Sequence, residues 1–329
     1  MRILLIRLSA LGDVVTGLHV LASLKSGLPE ASIGWLVEDR FASLLEGHPQ
    51  LDRIHVYKRR LHGQSSIRPW RWGHVARFVK DLRRARYDVA LDLQGNLKSG
   101  VLTWLSGAKR RWGLGPPLGR EGNGLFVRRR IEPPGGHRLD AYLALVAAAV
   151  RDVPRTHGFL PTHASDSRAI VLHPGTSKFG AFKRWPPEHF AALADRLARK
   201  IGAPVVLTAG PGERAQAEGV SKHMECDASI AEPPTLSDLT NLLAGARLVV
   251  SGDTGPAHVA AAAGAPTVTL FGPKDPSSLA PVGPHTRVAR AGVRCSPCDL
   301  RFCPDPVCMS TLSVECVERE VLELLETVE

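Results

Sequence analysis

The sequence of 329 residues contains no long hydrophobic run. No stretch approaches the ~18–20 consecutive apolar residues that a membrane-spanning helix needs, so we expect a chain that does not cross a bilayer. The first residues, 1–7, form a strand pattern interrupted by arginine. No cleavage-like site follows them, and we therefore do not expect a signal peptide. Together these absences predict a cytoplasmic protein.

Two common nucleotide-binding signatures are also absent. No Gly-x-Gly-x-x-Gly follows the first predicted strand, and no Walker phosphate loop occurs in the chain. The first absence disfavours conventional dinucleotide binding through that turn. A nucleotide ligand would have to be held in another way.

Cysteine is scarce outside one segment. Five of the six cysteines have the spacing Cys295-x2-Cys298-x4-Cys303-x4-Cys308-x7-Cys316, and the sixth is Cys226. In a cytoplasmic chain this favours thiols or a metal site over disulfides. Cys-x2-Cys is zinc spacing, but a structural four-ligand site usually separates its two pairs further. Zinc at residues 295–316 is therefore an alternative that we do not assign.

The composition is typical of a globular protein with an uneven charge. Hydrophobic residues make up 44% and charged residues 22% of the chain, and its length favours two domains. Residues 1–155 hold 26 Lys and Arg against 13 Asp and Glu, whereas residues 156–329 hold 16 against 19. A basic half indicates an anionic partner, which nucleic acid, an anionic membrane or a phosphorylated substrate would each satisfy. A basic surface without function is the alternative.

Apolar strands alternate with helical patterns in both halves, which predicts two parallel, doubly wound α/β sheets. Predicted strands lie at 2–8, 32–37, 54–57, 87–93, 169–173, 204–209 and 249–252, and a further apolar strand ends at 271. Predicted helices lie at 14–24, 41–45, 74–84, 137–150, 185–200, 213–223, 236–244 and 255–264. Residues 109–136 are expected to be extended loops with little core. The domain boundary is placed between residues 160 and 161, and the final helix is expected to pack back on the N-terminal domain.

Polar residues cluster where several of these strands end. They are Gly12-Asp13, Gly175-Thr176-Ser177 with Lys183, Glu213, and Asp253-Thr254-Gly255 with His258. Ligands of open parallel sheets bind beyond the carboxyl ends of the strands, and a helix N-terminus attracts anions. The alternatives are structural: Asp13 and Asp253 as helix caps, and His258 as a packing residue.

Four sequence blocks together resemble the lipopolysaccharide heptosyltransferases of glycosyltransferase family nine over nearly the whole chain. The blocks are residues 7–15 (RLSALGDVV), 92–99 (DLQGNLKS), 173–186 (from His-Pro-Gly to Lys-Arg-Trp-Pro) and 253–273 (from Asp-Thr-Gly-Pro-Ala-His to Phe-Gly-Pro). The resemblance implies a GT-B fold, in which two Rossmann-like domains face each other across a cleft. The N-terminal domain would bind the acceptor and the C-terminal domain the nucleotide sugar. The family does not depend on a metal-binding Asp-x-Asp motif, and this chain has none.

The implied reaction is inverting, metal-independent transfer of heptose from ADP-L-glycero-D-manno-heptose to the Kdo and heptose inner core of lipopolysaccharide. Asp13 would be the general base, and Lys183 would stabilise the departing diphosphate. The implied donor contacts are Thr176, Ser177, Glu213, Asp253, Thr254, Gly255 and His258. The implied acceptor contacts are Gly12, Arg59, Arg60, Lys98 and Arg120.

The implied partners are a nucleotide sugar, a Kdo-bearing lipid A acceptor and the anionic inner-membrane surface, with no nucleic acid and no cofactor. The basic half would draw the enzyme to that surface as a peripheral protein. One alternative is a transferase of the same fold that uses another nucleotide sugar. A second is nucleic-acid binding through the Arg- and Trp-bearing stretch at 58–72. The sequence leaves open whether the transfer is the first heptosyl transfer, to Kdo, or the second, to an existing heptose.

Overall fold

The structure is a computed structural model that describes residues 1–59, 69–163, 167–298, 300 and 302–328. It describes only the backbone of residues 69–72, 178 and 179. The chain divides into two compact units, Met1–Leu160 and Pro161–Glu329. Each unit contains a six-stranded parallel sheet, which confirms the predicted α/β class. Within the described residues, no helix combines the length and apolarity needed to cross a bilayer.

The sheet of unit 1 has the strand order β3-β2-β1-β4-β5-β6. Its strands are β1 (Arg2–Ile6), β2 (Ser32–Glu38), β3 (Arg53–Tyr57), β4 (Val89–Asp92), β5 (Arg110–Leu114) and β6 (Arg129–Ile131). Its helices are α1 (Leu11–Gly27), α2 (Pro69–Arg84), α3 (Leu97–Leu105) and α4 (Arg138–Ala149), with 3-10 turns at Asp39–Leu44 and Asn123–Leu125. All of the pairings between neighbouring strands are parallel.

The sheet of unit 2 has the order β12-β11-β10-β7-β8-β9, which is the same topology as in unit 1. Its strands are β7 (Ile170–His173), β8 (Val205–Thr208), β9 (Ala228–Ala231), β10 (Leu248–Gly252), β11 (Thr267–Phe271) and β12 (Thr286–Arg290). Its helices are α5 (Pro187–Ile201), α6 (Arg214–Ser221), α7 (Leu236–Ala244), α8 (Gly255–Ala262), α9 (Pro276–Leu279), α10 (Val307–Ser310) and α11 (Val314–Glu326). A 3-10 helix, Lys178–Lys183, precedes α5.

The central strands are apolar on both faces because helices cover both sides of each sheet. In β1, the residues from Ile3 to Ile6 are fully buried. Leu4 and Ile6 pack in one cluster with Leu82 of α2 and Leu102 of α3, and α1 packs against α4. A continuous apolar run of this kind is the expected pattern for a strand buried on both faces.

The final helix, α11, completes the core of unit 2. Val317 and Val321 join the same cluster as Phe190 of α5 and Val268 of β11. The indole N–H of Trp185 donates to the carbonyl of Leu312 just before the helix (2.8 Å). The packing partners of α11 in this cluster are therefore the sheet and α5 of its own unit. The expected packing of the final helix on the N-terminal domain stays a prediction.

The strand order changes direction between β1 and β4 in unit 1, and between β7 and β10 in unit 2. In open parallel sheets such a switch point leaves a crevice outside the carboxyl ends of the two central strands. The loops after these four strands begin at Arg7, Leu93, Pro174 and Asp253. The sequence blocks singled out above thus lie at the two switch points.

One predicted loop is wrong. The segment 109–136 contains β5 and β6. Arginines occupy two of the five positions in β5 and two of the three in β6, so the apolar pattern that marks a strand is weak. The edge strands β9 and β12 were not predicted from the sequence either.

Candidate functional site

The carboxylate of Asp13 lies at the switch point of unit 1, in the first turn of α1. It forms ion pairs with two arginines, Arg7 through Oδ2 and Arg138 through Oδ1. Its Oδ2 also faces the backbone N–H of Ala10 at 3.4 Å. Asp13 is the third residue of the helix and Ala10 is the N-cap. The carboxylate therefore contacts the N-cap backbone of α1 and also pairs with two cations.

Arg7 is held in place by contacts with Leu93 and Tyr142. Its side chain is 7% exposed, and Nη1 donates to the carbonyl of Leu93 at 2.7 Å. The guanidinium lies over the ring of Tyr142, at 5.9 Å from the centroid. Burial raises the pKa of Tyr142 to about 12, so this phenol stays protonated at neutral pH. Arg7 is thus a fixed support for Asp13, whereas Arg138 is more exposed, at 29%.

These side chains line a cavity of about 300 Å³ together with Arg120. Its other walls come from the loop after β4 and from Leu114, Pro117 and Leu118. The side-chain oxygen of Gln94 accepts the N–H groups of Leu8 and Ser9, at 3.0 and 3.2 Å. Gln94 therefore joins the loop after β4 to the loop after β1. The cavity has three arginines and one carboxylate on its wall, which suits a ligand that is both anionic and hydroxylated.

Asp92 holds the loop after β4 in place. Its Oδ1 accepts the N–H groups of Gln94 and Gly95, at 3.0 and 3.1 Å. Its Oδ2 accepts the Ser99 hydroxyl at 2.8 Å and the Asn123 amide at 2.6 Å. Burial raises the pKa of Asp92, while these hydrogen bonds oppose the rise. Asp92 has no exposed surface and acts as the structural anchor of the crevice.

The predicted acceptor residues separate into different places. Gly12 is in the first turn of α1, and Arg120 lies on the wall of the Asp13 cavity. Lys98 instead forms an ion pair with the buried Glu38, at 2.6 Å. Arg59 is exposed beyond the end of β3, and Arg60 lies outside the described residues. The structure thus brings Gly12 and Arg120, but not Lys98, together with Asp13.

Glu213 follows β8, and its carboxylate lies against the loop after β7. Its Oε2 accepts the N–H of Gly210 at 3.1 Å and lies 3.6 Å from Nε2 of His173. A Cβ atom on Gly175 would collide with this carboxylate, and one on Gly210 would lie 2.8 Å from it. Glycine at both positions is therefore what lets the carboxylate rest on the backbone of the loop after β7.

His173 supports Glu213 from inside the sheet. Its Nδ1 is 3.1 Å from the hydroxyl of Thr208, and the side chain is 4% exposed. Burial lowers the pKa of His173 to about 4. The imidazole is consequently neutral at physiological pH, with the tautomer set by its neighbours.

Lys183 and Asp253 join the two loops of the unit 2 switch point. The ammonium group is 2.5 Å from Oδ2 of the carboxylate, and the side chains are 22% and 12% exposed. Lys183 is the last residue of the 3-10 helix after β7, and Asp253 follows β10. A cation and a carboxylate thus lie beside the N-terminus of α8.

The remaining predicted donor residues surround that pair. Thr254 is the N-cap of α8, but its hydroxyl lies 3.0 Å from the Ser251 hydroxyl and makes no side-chain cap. Gly255 is the first residue of the helix, and His258 is half-buried one turn further on. The start of α8 therefore has no side-chain cap, and uncapped N–H groups at a helix start bind phosphate.

The two residues proposed to donate to phosphate after β7 differ in environment. The Thr176 hydroxyl is buried and accepts the Nε–H of Arg184 at 2.9 Å. Arg184 also donates through Nη2 to the Thr176 carbonyl, at 3.3 Å. Ser177 is exposed at the start of the 3-10 helix. Ser177 is the more accessible of the two, and Thr176 holds Arg184 in place.

All six cysteines are free thiols. Burial and the neighbouring Cys295, Cys298 and Cys303 raise the pKa of Cys308. In the part of the chain that the structure describes, no group of three or more His, Cys, Asp or Glu side chains has a geometry that would hold a metal ion.

Four residues around the candidate site were not predicted from the sequence: Arg7, Arg138 and Tyr142 in unit 1, and His173 as a contact of Glu213. The sequence does contain a signal for a role of Arg7, because this charged residue directly follows the apolar run from Ile3 to Ile6. Arg138 had none, since it lies on another helix 125 positions from Asp13. Its contact with Asp13 exists only in the folded sheet.

The sequence of this chain is similar to those of known proteins. A family model described as glycosyltransferase family 9 (heptosyltransferase) matches residues 75–307. Lipopolysaccharide heptosyltransferase 1 of Pseudomonas aeruginosa is 30% identical over 315 residues, which are 92% of this chain and 87% of that protein.

Solved structures give the same result. The E. coli heptosyltransferase WaaC with ADP is similar with a TM-score of 0.82 and 26% identity, covering 98% of this chain and 100% of that one. The same enzyme with ADP-2-deoxy-2-fluoro heptose gives a TM-score of 0.78 and 26% identity, covering 98% and 99% of the two chains.

Proposed function

The chain belongs to glycosyltransferase family 9, and we propose from this membership that it transfers heptose from ADP-heptose to the inner core of lipopolysaccharide. The similarity to an E. coli enzyme solved with ADP and with an ADP-heptose analogue supports ADP-heptose as the donor. The observation that carries the proposal within this chain is the Asp13 carboxylate, which is held by Arg7 and Arg138 at the wall of a cavity.

Asp13 is proposed as the general base. The attacking hydroxyl of the acceptor gives its proton to the carboxylate as the oxygen bonds to the anomeric carbon of heptose. The bond from that carbon to the diphosphate breaks on the opposite face, so the configuration inverts and ADP leaves. Arg7 and Arg138 fix the carboxylate in one orientation, since each contacts a different oxygen. Orientation of this kind is a large part of what a catalytic base requires.

Unit 2 is proposed to bind ADP and to stabilise it as it leaves. The negative charge that grows on the diphosphate would meet the Lys183 ammonium, the N–H groups at the start of α8 and the Ser177 and Thr254 hydroxyls. Thr176 would act by holding Arg184 toward the same place. Glu213 would accept hydrogen bonds from the ribose, and Asp253 from the heptose hydroxyls. His258 would approach the diphosphate from the first turn of α8. The proposed chemistry requires no metal.

Arg120 and Gly12 are proposed to contact the acceptor beside Asp13. Arg59 and Arg60 are proposed as further contacts to its anionic groups, since in sequence they follow β3, a strand of the same sheet. Lys98 has a different role in our proposal: it neutralises the buried Glu38 at the end of β2. We also propose that the protein acts as a peripheral protein at the inner membrane, because the acceptor is a lipid and residues 1–155 carry 26 basic against 13 acidic residues.

The first test is isothermal titration of the protein with ADP, UDP and NAD. We expect selective binding of ADP, and for Lys183→Ala a loss of affinity of about 10- to 100-fold, as for the removal of one charged hydrogen bond. The matched control is Lys222→Ala, an exposed lysine of the same unit, which should bind ADP as the wild type does. Preference for UDP would indicate a donor other than ADP-heptose, with another sugar. Absence of nucleotide binding would overturn the proposal.

The second test is a transfer assay with ADP-heptose and two acceptors, one ending in Kdo and one already carrying heptose. We propose the first transfer, to Kdo, because the P. aeruginosa relative is a heptosyltransferase 1 at 30% identity, whereas the Salmonella heptosyltransferase 2 is 27% identical. Faster transfer to the heptose-bearing acceptor would assign the second step instead.

A further inference from the structure

An apolar patch on unit 1 lies close to the cavity that contains Asp13. Leu97, Trp104 and Leu125 are exposed there, at 45%, 48% and 82%. Leu97 and Trp104 are two turns apart on α3, so they share one face of the helix. Leu97 and Leu125 flank Gly122, because a Cβ at that position would lie 3.9 and 3.7 Å from their methyl carbons. The half-buried ring of Phe126 lies 6.3 Å from that of Trp104 and completes the patch.

Arginines border this apolar patch. The segment 97–131 carries eight Lys and Arg but one acidic residue, Glu121. Arg111 donates through Nε to the carbonyl of Phe126, at 3.3 Å. Arg130 is exposed and lies against Gly124, the residue before Leu125. Lone exposed apolar residues are common, but a contiguous group with a basic border marks an interaction surface.

The patch is continuous with the proposed acceptor site. A second cavity, of about 340 Å³, is lined by residues 119–125 and by Arg130. Arg120 belongs to this cavity and to the cavity around Asp13. Leu125 is therefore on the rim of a basic pocket that borders the candidate base.

We propose that the apolar patch docks unit 1 onto an anionic lipid surface. Leu97, Trp104, Leu125 and Phe126 enter the boundary between headgroups and acyl chains, and Arg111, Arg120 and Arg130 contact lipid phosphates. Apolar side chains with Trp among them and arginines beside them are what such a boundary binds. The inference rests on the proposed function for one point, the lipid nature of the acceptor, whose headgroup would reach Asp13 along the basic pocket.

A second copy of this chain fits the patch less well. A two-fold contact would place the same arginines against each other, which repels. Stable dimers also bury about 800 Å² on each partner, and four side chains supply only part of that area. An anionic lipid surface satisfies both the apolar and the basic parts.

Vesicle sedimentation tests the proposal with the full chain. We expect the wild type to bind vesicles of phosphatidylcholine with phosphatidylglycerol and to bind pure phosphatidylcholine weakly. The double variant Trp104→Ser/Leu125→Ser should lose about tenfold or more in vesicle affinity, since both side chains leave water on docking. The matched control is Phe302→Ser, which removes an aromatic side chain that is 74% exposed in unit 2 and should leave vesicle affinity unchanged.

A second readout separates docking from folding. Brominated lipids should quench the fluorescence of the wild type but quench Trp104→Phe less, while both proteins sediment with vesicles equally. The double variant should melt at the wild-type temperature, bind ADP as tightly, and transfer heptose to a delipidated acceptor at the wild-type rate.

Two outcomes overturn the inference. One is vesicle binding by the double variant that equals the wild type. The other is a dimer in light scattering that the double variant converts to a monomer, which would assign the patch to a second copy. Failure of the proposed function would look different: vesicle binding would persist while no acceptor received heptose.

Discussion

At the scale of single residues, Asp13 carries the sharpest prediction. Asp13→Asn keeps the size of the side chain and can still contact Arg7 and Arg138, but it cannot take a proton. We expect kcat for heptose transfer to fall about 10²- to 10⁴-fold, the usual range for a general base, with little change in ADP affinity. Single-turnover transfer and ADP titration measure the two effects. Asp39→Asn, an exposed carboxylate in the same unit, is the control and should retain activity.

His173 gives a prediction about pH and stability. Burial holds its pKa at about 4, below the unfolded value of 6.5. The unfolded chain therefore binds a proton between these two values that the folded chain does not, and acid favours unfolding. His173 should lower the free energy of unfolding by up to about 1.4 kcal/mol for each pH unit of descent from 6.5 toward 4. Above pH 6.5 its effect should be constant.

Chemical denaturation of the wild type and of His173→Asn between pH 4 and 7.5 tests this slope. Other groups titrate in the same range, so the quantity to compare is the difference between the two proteins. That difference should grow smaller as the pH falls, because the variant has lost the proton-binding group. A difference that does not vary with pH would contradict a neutral, buried His173.

At the scale of elements, the loop after β7 depends on glycine at position 175. Gly175→Ala places a methyl group where the Glu213 carboxylate rests, so the carboxylate must move. We expect ADP affinity to fall about tenfold, corresponding to one displaced hydrogen-bonding group. Gly219→Ala is the matched control, because its Cβ would meet nothing within 4 Å and it lies inside α6. That control should bind ADP normally and be up to about 1 kcal/mol more stable.

Much of the architecture was predictable from the sequence, because buried parallel strands have a strong signal. The unit β10–α8–β11 was predicted within a few residues, as its apolar runs are bounded by glycine and proline. β5 and β6 escaped prediction because Arg110, Arg111, Arg129 and Arg130 occupy them. A strand beside the sheet edge needs fewer apolar side chains, so its pattern is weaker.

The positions of site residues were predictable near the ends of strands: Asp253 follows β10 directly, and Asp13 lies in the first turn of the helix after β1. Contacts between distant segments were not predictable. Lys98 was expected at the acceptor, but its partner Glu38 lies 60 positions away on β2. The length of the sequence between two such residues gives no information on their distance in the fold. The roles of the site residues themselves stay predictions until variants are assayed.

At the scale of the whole molecule, the two units each have their own sheet and core, which predicts that the donor site survives separation. A fragment of residues 161–329 should fold and bind ADP within about tenfold of the full chain, because every proposed donor contact belongs to it. Circular dichroism and ADP titration of the fragment provide the measurement. A folded fragment that has no affinity for ADP would place essential donor contacts in residues 1–160.

The edge strand β6 has a consequence for solubility. It closes the sheet of unit 1, is three residues long and has arginine at two of those positions. Short, charged edges resist pairing with strands of other molecules, so these arginines protect the protein against aggregation. Engineering that neutralises this edge would therefore lower the concentration at which the purified protein stays monodisperse, even where the folded state loses no stability.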